Sequence, residues 1–200
     1  MRRRIVALAV VALAVATSAR AQMDHPAGMS HQQVVDAAMA GAPASVARNA
    51  TIAWVDSAAN VHVMQQGTNG YTCVILRPDP FQGPLCGDQN GVTWLMAMLH
   101  GQAAPPALSA PGIVYMAAGG THFEDASGNV LMEHELSPHA AGSHRVREPA
   151  HWMMMWPYTE ASGLPTKENA AGVYIMFAGT PWAHLMIYQD PNKMGTHAGM

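Results

Sequence analysis

Two stretches of this chain repeat apolar residues at helical spacing. Ser30-His31-Gln32-Gln33 reads as a capping box, and Val34, Val35, Ala38 and Met39 follow on one stripe until Gly41 and Pro43 stop it. One more turn fits residues 44–48. The second stretch is clearer. Asp88 or Asn90 caps a helix in which Val92, Leu95, Met96 and Leu99 fall at i, i+3, i+4 and i+7, and Gly101 closes it. The remaining apolar segments are short and read as strands. Residues 51–56 and 61–66 flank a turn at 57–60. Thr68-Asn69-Gly70 is a second turn, since Asn-Gly takes positive φ cheaply, and 71–76 is a third strand. An antiparallel meander is the economical arrangement of these three. A Pro/Ala linker at 103–111 leads to a strand at 113–117. Residues 121–148, rich in His, Glu, Gly and Ser, predict a long irregular region, and segments of this length inside a domain are usually functional or disordered. Two more strand regions follow. One is 150–156, bounded by Pro149 and Pro157; the other is a final hairpin of 173–178 and 182–188 turning at Gly179-Thr180-Pro181.

The expected fold is therefore α+β: a single domain on a mainly antiparallel sheet of five or six strands, with one or two packed helices and one disulfide. Its parts are a signal peptide at 1–21, an N-terminal arm with a short helix at 22–49, a globular α+β domain at 50–190 and a mobile tail at 191–200. The signal reading rests on Arg2, Arg3 and Arg4, an unbroken apolar run over 5–15, and the small-x-small site Ala19-Arg20-Ala21. Cleavage after Ala21 leaves a periplasmic or secreted chain with no membrane anchor. Four of the ten basic residues leave with the signal, so six face 13 acidic ones. That balance argues against nucleic acid, which needs a basic surface. In an oxidising compartment Cys73 and Cys86 are expected to pair rather than bind metal, because their spacing is not that of a thiolate site.

No familiar catalytic signature is present: G-x-S-x-G, H-E-x-x-H and Gly-rich phosphate loops are all missing. What stands out is 11 His and 16 Met. Imidazole and thioether together suit copper, and thioether favours Cu(I); zinc is the lesser candidate. Methionine also fills irregular cores, so composition alone does not decide. Geometry sharpens the choice. In the stretch His151-Trp152-Met153-Met154-Met155-Trp156 the pleat puts His151, Met153 and Met155 on one face and sends Met154 to the other. In the last hairpin His184 and Met186 share a face, and a three-residue loop sets Met176 opposite His184. If 150–156 lies beside this hairpin with matching faces, His151, His184, Met153, Met186 and Met176 converge as candidate metal ligands. The competing reading is a covered strand packed on both sides.

Several segments resemble a family of uncharacterised exported bacterial proteins: G-T-N-G-Y-T-C at 67–73, P-L-C-G-D at 84–88, W-L-M-A-M at 94–98, G-I-V-Y-M at 112–116, A-H-W-M-M-M at 150–155 and A-G-T-P-W-A-H-L-M at 178–186. The resemblance covers most of 50–190 and implies a shared fold and export, with no activity attached. It places His151 and His184 in matching segments, and leaves His25, His31 and His197 outside.

Two further groups qualify as metal donors. His134, His139 and His144 recur every five residues, near His122, Glu124, Asp125, Glu133 and Glu135. The two ends carry Met23, Asp24, His25, Met29 and His31, and Met194, His197 and Met200. Three functions follow as expectations. The first is a periplasmic copper-type metal-binding protein; the second is an enzyme using His151 or His184 as general base or ligand; the third is a non-catalytic binding or interaction module.

Overall fold

The computed structural model describes residues 26–79, 81–132, 142–158 and 162–194. Helix α1 (His31–Met39) begins with the expected capping box: Ser30 Oγ accepts from the Gln33 N–H, and Gln33 Oε1 accepts from the Ser30 N–H. A single turn, α2 (Ala44–Ala47), leads into β1 (Thr51–Val55), β2 (Val61–Gln65), β3 (Thr72–Leu76) and β4 (Leu85–Gly87). After α3 (Gln89–Leu99) come β5 (Gly112–Met116), β6 (Gly120–Glu124), β7 (Val130–Leu131), β8 (His144–Glu148), β9 (His151–Met155), β10 (Val173–Met176) and β11 (His184–Ile187). A 3-10 turn at Pro191–Lys193 follows, tied to the sheet by Asn192 Nδ2 donating to the Ala117 carbonyl.

The sheet is larger than expected. Eight strands run in the order β10-β11-β9-β5-β4-β3-β1-β2, and β7-β6-β8 form a separate three-stranded sheet. The main sheet has eight strands instead of five or six; it is mainly antiparallel as expected, with one parallel pair, β1 and β3, that makes it mixed. The meander is also corrected: β2 pairs antiparallel with β1, but β3 lies on the other side of β1 and parallel to it. Burial explains the exchange. β1 and β3 are buried on both faces after their first residue, whereas β2 alternates exposed and half-buried positions and leaves Val61 and Val63 in solvent. A strand apolar on both faces gains most at the centre, so the polar one takes the edge. The crossover runs close over the start of β1. A Cβ on Gly67 would stand 2.2 Å from the Ala50 carbonyl carbon, so only glycine fits there.

The 121–148 region is likewise more ordered than its composition suggests, since β6, β7 and β8 occupy both of its ends. Its central residues 133–141, with His134, His139, Glu133 and Glu135, lie outside the described residues, as do the signal segment, Met23, Asp24, His25, His197 and Met200.

Each face of the main sheet carries its own core. On one, α1 covers Ile52, Trp54, Cys73, Ile75 and Cys86. Cys73 and Cys86 are direct cross-strand partners in β3 and β4 and form the disulfide, whose loop closure contributes about 3 kcal/mol in the chain-entropy account. On the other face lies α3. Asp88 caps it, its side chain accepting from the Gly91 N–H. The buried face centres on Gly91, Trp94, Leu95 and Ala97, one position around from the expected stripe, and Val92, Met96 and Leu99 are only half-buried. The shift follows from how closely α3 meets β5: a Cβ on Gly91 would come within 2.7 Å of the Ile113 carbonyl oxygen. With no side chain at 91, Trp94 drops onto the sheet.

Candidate functional site

The arrangement expected of the last strands is present. β9 pairs antiparallel with β11, with Met186 opposite Met153, and β11 pairs with β10, with Met176 opposite His184. The ladder ends earlier than expected, so residues 177–183 form a longer connection, but the register of Met176 and His184 holds. On the far side β5 pairs with β9, placing Met116 opposite His151 and Val114 opposite Met153. Alternation therefore lays His151, Met153 and Met155 on the same face as His184, Met186 and Met176. All six are buried, while Trp152 and Met154 on the reverse face are half-buried.

Above this face is a cavity of about 60 Å³. Six methionines line it: Met98 from α3, Met116 from β5, Met153 and Met155 from β9, Met176 from β10 and Met186 from β11. His184 joins them, as do Trp94, Phe81, Phe123 and Phe177. Trp94 meets His184 edge-on at 5.0 Å and Trp182 at 5.0 Å, closing one side. Phe177 holds φ at 54°, a conformation costly for a large side chain, and its ring packs 5.5 Å from His184. His151 is fully buried but does not line the cavity.

His151 and His184 are set up in the same way. Each opens its strand, and each donates Nδ1–H to the carbonyl two residues earlier: His151 to Pro149 at 2.8 Å, His184 to Trp182 at 2.9 Å. Carbonyl oxygens only accept, so in both rings Nδ1 carries the proton and Nε2 the lone pair. Nε2 of His151 is buried with no hydrogen-bond partner.

The polar wall comes from the small sheet. His122 on β6 lies between two carboxylates, Nδ1 3.0 Å from Glu148 Oε1 and Nε2 3.0 Å from Glu124 Oε1. His122 and Glu148 both line the cavity. Glu148 Oε1 also accepts from the Tyr188 hydroxyl at 3.4 Å, and Tyr188 meets Tyr174 at 3.1 Å. Glu148 Oε2 stands 3.9 Å from the orphaned Nε2 of His151.

The titration of these groups follows from their surroundings. Burial opposes charge on His122, but hydrogen bonds to Glu148 and Glu124 outweigh it and hold the ring above its ordinary value. Burial would raise Glu148, yet the His122 hydrogen bond brings it below the usual carboxylate range. Burial lowers His151, and complete burial takes His184 from 6.5 to about 4, against the Trp182 bond. A base with a depressed folded value contributes stability that is full above its unfolded value and is lost as pH falls to the folded one. For His184 that window runs from 6.5 down to about 4 and is worth about 3 kcal/mol. His151 acts in the same direction. The raised His122 has the opposite sign, contributing fully below 6.5 and losing its contribution as pH rises through its folded value. Glu148 contributes above 4.5 and loses that contribution as pH falls further. Urea midpoints measured between pH 8 and 4 should pass through a maximum near neutrality and fall on the acid side, and His184→Gln should flatten that fall. A midpoint constant from pH 7 to 4 would contradict the burial of these rings.

Of the other sequence candidates among the described residues, His122 and Glu124 are joined as above. His144 is exposed on β8, and Asp125 is engaged in a turn, accepting from Ser127 and Asn129. Met29 Sδ accepts from the Arg77 guanidinium at 3.0 Å. Among the described residues no group of three or more His, Cys, Asp or Glu is arranged to hold a metal ion. Glu148 escaped sequence reading because His144-Arg145-Val146-Arg147-Glu148 looks like a solvated strand. Met98 and Met116 escaped because nothing local links them to β9. No protein-family model, curated protein or solved structure matches this chain.

Proposed function

We propose that this chain is an exported binding protein for a soft metal ion, copper before zinc, with no catalysis required. One observation carries the reading: six thioethers and the His184 imidazole line a single cavity. Thioether sulfur is a weak ligand for hard or borderline ions and a good one for Cu(I). The ligands we assign are His184, Met153, Met186 and Met176, with His151 beside them. The carbonyl bonds at Nδ1 of both histidines support this, because a ligating imidazole is normally oriented by such a bond at its other nitrogen. Export is part of the proposal and rests on the N-terminal pattern and on the disulfide.

The test is a titration of the chain beginning at Gln22 with Cu(I) under anaerobic conditions, in competition with a chromogenic chelator. We expect one ion per chain and a sulfur-dominated shell in X-ray absorption. No binding tighter than about micromolar would remove the proposal. A second reading, an enzyme acting on a small neutral molecule, is favoured by the His122–Glu148 pair facing the same cavity as a ready acid–base couple.

A further inference from the structure

Resting on the soft-metal reading, we infer that Thr180 is the positioning residue of His184, fixing which ring nitrogen is left to meet the occupant of the cavity. His184 lines the cavity and donates Nδ1–H to the Trp182 carbonyl, so Nε2 is the nitrogen that keeps a lone pair. The ring is held only as firmly as that carbonyl is. The Trp182 carbonyl belongs to the planar peptide whose N–H is on Ala183, and this N–H donates to the Thr180 carbonyl at 3.2 Å. The preceding peptide is tied to the same residue, because the Trp182 N–H donates to Thr180 Oγ1 at 3.1 Å. Both peptide planes around Trp182 therefore end on Thr180.

The hydroxyl also reaches back along the chain. Thr180 Oγ1 donates to the Phe177 carbonyl at 2.8 Å, and the Thr180 N–H donates to the same oxygen at 3.1 Å. Phe177 is the residue held at a φ of 54°, and its ring packs 5.5 Å from His184. Such a backbone conformation persists where its surroundings over-determine it, and two bonds on one carbonyl help to do so. Thr180 does not itself line the cavity. It acts through Trp182, which sets the imidazole, and through Phe177, which packs beside it. One hydroxyl here donates once and accepts once. Serine supplies both bonds, whereas valine keeps the shape of threonine and supplies neither. Loss of a group that orients a metal-binding imidazole typically costs about ten- to a hundredfold in affinity.

The experiment compares Thr180→Val and Thr180→Ser by two readouts. The first is 15N NMR of the histidine rings in the ion-free chain, which reports the tautomer. The second is titration with Ag(I), a soft probe free of redox change. Wild type should show His184 as a single Nδ1–H tautomer. Thr180→Val should show both tautomers and lose at least about tenfold in Ag(I) affinity, while Thr180→Ser should match wild type in both. Thr93→Val is the control: it removes a hydroxyl bonded to the Gln89 carbonyl on the exposed side of α3 and should move neither readout. A single Nδ1–H tautomer, or wild-type Ag(I) affinity, in Thr180→Val would overturn the inference. An Nε2–H tautomer of His184 in wild type, or a change of tautomer in Thr180→Ser, would overturn it too, and these decide the matter if the valine variant does not fold. No Ag(I) binding by wild type would remove the soft-metal reading, and the tautomer readout alone would then decide the role of Thr180.

Discussion

Replacing Met153 and Met186 together by leucine should weaken Cu(I) binding by at least about a hundredfold and leave the fold in place. The two residues are direct cross-strand partners on β9 and β11 and both face the cavity. Leucine keeps their volume and apolar character but removes the sulfur. Such swaps in a core usually cost less than about 1.5 kcal/mol each, so the variant should stay folded. The separation of the two readouts is what makes the pair informative. If the methionines are only packing, chelator competition will be nearly unchanged. If they are ligands, affinity collapses while the chain stays folded. The neighbouring pair on the reverse face supplies the control: Met154→Leu removes a thioether that points away from the cavity and should leave affinity unaltered. Wild-type affinity in the double variant would place the site elsewhere.

The largest loss of stability should come from Trp94→Ala. Trp94 is 4% exposed, lies at the centre of the buried face of α3, and meets both Trp182 and His184 edge-on. Truncating a buried tryptophan costs about 3–5 kcal/mol, through lost transfer energy and the void left behind. For a chain of this size that corresponds to a fall in Tm on the order of 10 °C. Trp94→Phe, which keeps an aromatic edge against His184, should lose well under half as much. The cavity beside Trp94 should also grow, and the alanine variant should take up a small apolar compound such as benzene, seen as a recovery of Tm at saturating ligand. A loss below about 1 kcal/mol in urea titration would mean that α3 does not close the cavity as described.

How far the sequence could be read depended on the range of the force involved. The α1 capping box, the Asp88 cap, the Cys73–Cys86 pairing and the opposite orientations of Met153 and Met154 are fixed by contacts between near neighbours or by the pleat. The register of Met176 against His184 belongs with them, because a short connection and a period of two leave few alternatives. Sequence reading failed where the deciding contact was distant. Trp94, and not Val92 or Leu99, faces inward because Gly91 meets β5. β3 lies parallel to β1 because β2 is too polar for the centre of the sheet. The 121–148 region forms strands although its own residues show little apolar alternation.

The sequence by itself determined which side chains share a face on each strand, where the two main helices begin, and that soft donors are plentiful. Only the tertiary structure decided that β9 lies between β5 and β11, so that thioethers from five elements surround one cavity, and that Glu148 and His122 are brought over it by a second sheet. The pleat and the caps act over a few residues and leave their mark in the local pattern. The neighbours of a strand are chosen by the burial of the whole chain, and no short segment carries that information.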